Sequence, residues 1–300
     1  MLKRTITGLF ILIVVAGFTA LRLVHPLFFD ALALVIMYGS ITEMVLSCKF
    51  SNRKVSKIVV AVYPIALLCI YLFTNSVEQA LLYQLLAILA VFVVLMTKEL
   101  IQNAVNRKKL ETIQDEKEIN ASLLVETKTT LELIIYPVTL LGFLIGINHY
   151  GLNLGFVGII MSFAISMSTD VFAYLFGSMI KGVRLAPEIS PKKSVAGMVF
   201  GALGGVVAAG LGYLFFVRFG WFGDVFSNIE LTKQILLFVG MGLIGTFLTQ
   251  FGDLVASAYK RKVGIKDFGA VFPGHGGFMD RVDGLMFTTA LVYILFALII

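Results

Sequence analysis

The densest run of reactive side chains lies toward the end of the chain, from Gly252 to Asp283. Asp253 closes a long apolar stretch, where an unpaired carboxylate is costly and usually functional. On a helix, Asp253, Ser257 and Lys260 or Arg261 share one face, and so do Asp280 and Asp283. His275 sits among Gly274, Gly276 and Gly277, and glycine lets a backbone come close to a ligand. Carboxylates, Lys and Arg, and a glycine-rich turn are what phosphate chemistry uses. Carboxylate oxygens hold Mg2+ together with substrate phosphates, and cations offset the charge that builds on phosphoryl oxygens. A basic lipid-facing loop with ordinary salt bridges, or a proton or ion path, would draw on the same residue types.

The elements that hold these residues must be membrane helices. Hydrophobic residues make up 59% of the chain, charged residues 14%, and mean hydropathy is +0.95. A soluble domain carries about 25% charged residues, so most of this surface faces lipid. The net charge of +6 fits cytoplasmic loops against anionic lipid, with no nucleic acid implied. Cys48 and Cys69 indicate neither a disulfide framework nor a metal site.

A span needs about 20 apolar residues, and in lipid such runs must be helices. Spans are expected at 5–24, 28–47, 57–75, 79–98, 131–149, 154–176, 197–217, 234–256 and 284–300. The first run is read as a span and not a cleaved leader. Of the 24 Lys and Arg residues, all but Arg22, Arg218 and Lys233 then fall on one side. That asymmetry predicts an all-α, polytopic membrane protein with about nine transmembrane helices, its N-terminus cytoplasmic. Residues 1–98 form helices one to four and residues 131–300 form helices five to nine, which carry the catalytic loops. Residues 99–130 form a polar, cytoplasmic helical connector, either a solvated link or a helix lying on the membrane. His25 and His149, on the far side, are read as interfacial and not catalytic.

The motif resembles the signature of the phosphatidate cytidylyltransferase (CDP-diacylglycerol synthase) family. The positions that carry it are Ser257, Lys260, Arg261, Lys266, Asp267, Pro273, His275, Gly276, Gly277, Asp280, Arg281 and Asp283. A second block is similar to the same family: Asp170, Ala173, Tyr174, Gly177, Leu185, Pro187, Ser190, Pro191, Lys192, Lys193 and Gly197. Both blocks border loops that the charge count puts in the cytoplasm, where CTP is. The resemblance implies CTP and phosphatidate as substrates, CDP-diacylglycerol and pyrophosphate as products, and a homodimer in the cell (inner) membrane. It implies Mg2+ on Asp253 and Asp280, with room for a monovalent cation such as K+. Asp283, Lys266, Asp267, His275 and Arg281 are expected at the reacting groups. Asp170, Ser190, Lys192, Lys193, Ser257, Lys260, Arg261, Gly276 and Gly277 are expected to bind substrate.

Two acidic positions of the family pattern are Ala196 and Ala256 here. Both alanines are expected to face the site, with Asp170, Glu188 or Asp267 as substitutes for the lost acids. The rival readings are a CTP-dependent enzyme on another lipid (CDP-archaeol synthesis or a polyprenol kinase), a non-catalytic homologue, and an ion transporter using Asp170 and Asp253.

Overall fold

The computed structural model describes residues 2–50, 53–74, 76–107, 125–180, 182–221 and 225–299. In chain order the helices are α1 (Leu2–Leu21), α2 (Leu27–Phe50), α3 (Lys57–Phe73), α4 (Val77–Arg107), α5 (Val125–Asn148) and α6 (Leu152–Met179). They continue with α7 (Val195–Arg218), α8 (Leu231–Lys262), the short α9 (Met279–Val282) and α10 (Leu285–Ile299). Among the described residues, six helices are long and apolar enough to cross a membrane: α2, α4, α5, α6, α7 and α8. Three further apolar helices, Ile6–Leu21, Lys57–Phe73 and Leu285–Ile299, are shorter. At a rise of about 1.5 Å per residue they reach roughly 22–26 Å, against about 30 Å of hydrocarbon. The protein is a mostly helical, multi-pass membrane protein.

The expectation of an all-α chain is corrected at residues 184–194. Here β1 (Arg184–Ala186) and β2 (Ser190–Ser194) pair antiparallel, with Arg184 opposite Ser194 and Ala186 opposite Ser190. Pro187 and Pro191 explain this, since proline removes a helical donor and fixes its own φ. Helix α8 also outruns the expected span, carrying Ser257, Lys260 and Arg261 on its last turns. Of the expected connector, residues 99–107 continue α4 and 125–130 begin α5; residues 108–124 lie outside the described residues.

The core lies where α5, α6, α8 and α10 meet, around Leu141, Ile165, Met241, Met286 and Tyr293. Helix α7 packs on α6 along a seam of small residues. A Cβ on Gly201 would stand 3.1 Å from the Ala173 side chain, and one on Gly177 would stand 3.0 Å from the Gly197 Cα. Small residues let two membrane helices approach this closely. The seam brings the hairpin over the end of α6.

At the opposite end of α6, a charged network joins α1, α2, α5 and α6. Arg22 is fully buried and donates to the Asn148 Oδ1 and to the carbonyls of Leu152, Asn148 and Gly151. Asn148 Nδ2 donates to Asp30 Oδ1 at 2.8 Å, and His149 Nε2 lies 2.9 Å from Asp30 Oδ2. His149 is thus a strut between helices, a contact that its place in the sequence did not reveal.

Candidate functional site

A cavity of about 710 Å3 opens between the end of α6, the hairpin, the start of α7 and the last turns of α8. Asp170, Lys192, Lys193 and Asp253 line it, together with Arg184, Ser194 and Gln250. Each enters from a different element. Asp170 lies on the α6 face that also carries Ala173, Tyr174 and Gly177. Lys192 and Lys193 come from β2, and Arg184 Nη1 donates to the Lys192 carbonyl at 3.2 Å. Ser194 ends the strand and caps α7, its Oγ accepting from Gly197 N at 3.1 Å. Gln250 on α8 donates to the Met198 carbonyl at 3.2 Å, which ties α8 to the start of α7.

Charge in this cavity is unevenly matched. Lys193 Nζ lies 3.0 Å from Asp253 Oδ2. The Asp283, Asp253 and Asp170 carboxyls lie close enough for each to feel the others' charge. Burial, and then the Asp253 charge, hold the Asp283 carboxyl well above the usual carboxylate range. Arg281 is exposed and puts its positive charge within reach of Asp170. From the other side comes Tyr136, on the π-helical turn Ile134–Thr139 of α5, in the field of Asp283 and Asp253. Its hydroxyl is buried and has no hydrogen-bond partner among the described residues.

The expected metal pair, Asp253 and Asp280, is given two different sets of partners. Asp280 is buried and lies 2.7 Å from Lys260 Nζ, and its Oδ2 accepts from Phe268 N at 2.9 Å and Gly277 N at 3.0 Å. Those bonds fold the loop between α8 and α9 back on itself. Asp253 has instead Asp283, Asp170 and Lys193 as neighbours. The backbone is helical from Phe278 to Asp283, so Asp280 and Asp283 keep the shared face that their spacing predicts, and Lys260, paired to Asp280, also acts on Asp283.

Among the described residues, no three His, Cys, Asp or Glu side chains stand close enough to hold a metal ion by themselves. The donor set nevertheless suits a divalent cation. Asp253 and Asp283 offer carboxyl oxygens near one another, with the Lys193 ammonium paired to Asp253. Mg2+ is commonly held by one or two carboxylates, with waters and substrate phosphates completing its shell.

The remaining expected residues are scattered around this centre. Arg261 Nε donates to the Ile189 carbonyl at 3.3 Å and so fastens α8 to the hairpin turn. Ser190 begins β2 opposite Ala186, outside the cavity wall, and Ser257 is half-buried on α8. Lys266 and Asp267 are exposed on the loop. His275 donates its backbone N–H to the Phe272 carbonyl at 2.8 Å, and its ring packs toward Gly8 of α1. Its Nδ1 is buried and has no hydrogen-bond partner among the described residues. Gly276 has φ of 80°, a conformation glycine adopts freely, and it lies against Asp280.

Ala196 and Ala256 do not face the site as expected. Neither lines the cavity, and Ala256 is completely buried in the hydrophobic core. The Ser194 cap sets the rotation of α7 so that Ser194 and Gly197 point into the cavity. Of the acids expected to replace them, Asp170 lines the cavity, while Glu188 lies in the hairpin turn and Asp267 on the exposed loop.

Glu43 of α2 is a residue that sequence reasoning missed. It is buried and accepts from Phe278 N and Met279 N, both at 2.9 Å. A carboxylate in an apolar run was its only signal, the same one that marked Asp253 and Asp170.

The sequence pattern of the cytidylyltransferase family matches residues 2–299. A phosphatidate cytidylyltransferase of Rickettsia conorii is 39% identical over 137 residues, covering 46% of this chain and 56% of that protein. One of Staphylococcus aureus (strain COL) is 38% identical over 137 residues, 46% of this chain and 48% of its own length. One of Brucella abortus biovar 1 is 38% identical over 145 residues, 47% of each chain. The match thus spans about half the length of these curated relatives.

Proposed function

Because the chain belongs to the cytidylyltransferase family, we propose that it joins the phosphate of phosphatidate to CTP, releasing pyrophosphate and CDP-diacylglycerol. A phosphate oxygen of the lipid bonds to the α-phosphorus of CTP, and the bond from that phosphorus to the bridging oxygen of pyrophosphate breaks. The attacking oxygen is already anionic, so no base is needed to create it. What the protein must supply is proximity and charge neutralisation.

The observation that carries this reading is the mixed lining of the cavity, with Lys192, Lys193 and Arg184 opposite Asp170 and Asp253. Its volume of about 710 Å3 lies within the roughly 300–1,000 Å3 usual for small-molecule sites. The three cations bind triphosphate oxygens, and Lys193 moves its charge from Asp253 onto the nucleotide. Arg281, exposed and with its charge reaching Asp170, would supply a further cation for the second phosphate. Tyr174, Ile180 and Leu185 give the cavity an apolar wall, which suits a lipid whose acyl chains stay in the bilayer. Asp253 and Asp283 would hold Mg2+, which supplies further neutralisation of phosphate charge.

Topology belongs to the same proposal. Nine spans with the N-terminus in the cytoplasm put the cavity on the side of CTP, as the Lys and Arg asymmetry supports. Cysteines placed in the hairpin or in 264–278 should resist impermeant labelling from outside. The decisive assay is purified protein in detergent with Mg2+, CTP and phosphatidate. Release of pyrophosphate with formation of CDP-diacylglycerol is the expected outcome. Turnover only with a polyprenol or an archaeal ether lipid would replace the substrate, and no turnover in a folded protein would sink the enzyme reading.

A further inference from the structure

Helix α2 lies far outside the motif, yet Glu43 reaches the loop that carries it. Its two carboxylate oxygens each take one backbone N–H, Oε1 from Phe278 and Oε2 from Met279, 235 and 236 residues away. These are the amides that enter α9, and a carboxylate is the best acceptor for a helix's first N–H groups. Among the described residues no cation stands within ion-pair distance of Glu43, so its charge is spent on the loop alone. Two glycines are moulded around it. A Cβ on Gly269 or on Gly277 would overlap the Glu43 carboxylate, and in each case its three nearest atoms all belong to Glu43.

This separates the roles of the paired glycines in the motif. Gly276 is required by its positive φ and its closeness to Asp280, while Gly277 has ordinary φ and is excluded from bearing a side chain by Glu43. The loop is therefore clamped by two carboxylates at adjacent positions. Asp280 holds Phe268 N and Gly277 N from within, and Glu43 holds Phe278 N and Met279 N from α2. One turn farther on stand Arg281, whose charge reaches Asp170, and Asp283, which lies in the field of Asp253.

We propose that Glu43 is a positioning residue for the transfer site: it sets the start of α9 and thereby the placement of Asp283 and Arg281. The role rests on the phosphate-transfer reading. Displacing reacting groups by about 1 Å can cost roughly 100-fold in rate. Glu43→Gln keeps the volume but presents an amide N–H to one of the two donors. Its expected effect is a fall in kcat of about 10- to 100-fold, the size of a lost charged hydrogen bond, with KM for CTP changed less than about threefold.

The test pairs steady-state kinetics with hydrogen exchange of the peptide covering 270–283, on the full-length protein. Glu43→Gln should speed exchange at Phe278 and Met279 and lower kcat. Gly277→Ala should do the same because its methyl meets the Glu43 carboxylate. Adding Glu43→Asp, whose shorter side chain withdraws, should restore at least about tenfold of the activity that Gly277→Ala loses, a coupling expected only between residues in contact. Strictly additive losses, or unaltered kcat in Glu43→Gln despite faster exchange, would overturn the proposal. If the parent protein turns over no CTP with phosphatidate, the transfer reading itself has failed. Exchange then decides the clamp alone, and unchanged protection in Glu43→Gln refutes it.

Discussion

The two ends of α6 each gather charge away from water, and they do it in opposite ways. At the Arg22 end, the guanidinium donates four hydrogen bonds to carbonyl and amide oxygens, and Asp30 is matched by Asn148 and His149. At the Asp170 end, Asp170, Asp253 and Asp283 lie in one another's field and Lys193 pairs with Asp253, beside a cavity that Asp170, Lys193 and Asp253 line. A closed, fully satisfied network stabilises a fold, whereas surplus carboxylate around open space is poised for a cation and phosphates. The difference lies in the completeness of partners, since both ends use the same kinds of side chain.

Breaking each end should therefore give opposite phenotypes. The largest effect on turnover is expected from Asp253→Asn or Asp283→Asn, a loss of about 1,000-fold or more, equivalent to roughly 4 kcal/mol of barrier. Either protein should remain as heat-stable as the parent, because a like-charge contact has been relieved; a collapse in thermal stability would make these carboxylates structural. The reverse is expected of Arg22→Met. Removing a buried charge from its partners should cost about 3–5 kcal/mol of stability, while kcat per folded molecule stays at the parent value. Denaturant titration in detergent measures the first quantity, and an assay normalised to folded protein the second.

A smaller effect sharpens the contrast within the cavity. Lys193→Ala should raise KM for CTP by about 10- to 100-fold, since a single charged hydrogen bond to phosphate is worth about 1.5–3 kcal/mol. Binding of Mg2+ gives the smallest readout. It should raise the melting temperature of the parent by a few degrees, in proportion to how far its concentration exceeds Kd. The shift should vanish in Asp283→Asn and persist in Arg22→Met. An equal shift in all three proteins would place the ion elsewhere.

Much of the site was legible because residue type and local spacing carry it. Asp253 announced itself as a carboxylate ending an apolar run, Lys192 and Lys193 as paired cations beside a proline-rich turn, and these three now line one cavity. The hairpin itself was not legible as strands, since five residues of polar β2 give no alternation to read. The partners of Asp280 were hidden as well. It pairs with Lys260 and accepts from Phe268 N and Gly277 N, contacts that only the folding of the loop between α8 and α9 makes.

The amino-acid sequence by itself determined the solvent of this protein and where its reactive side chains cluster. Composition demanded lipid around the helices, period and length indicated where they run, and the clustered Asp, Lys, Arg and Gly residues pointed toward phosphate chemistry. Tertiary structure alone decided which charges are left unmatched. Partner choice depends on contacts between residues such as Glu43 and Met279, or Arg22 and Asn148, that are more than a hundred positions apart. Local pattern has no reach over such separations, because it is the packing of whole helices that brings these groups within hydrogen-bond distance.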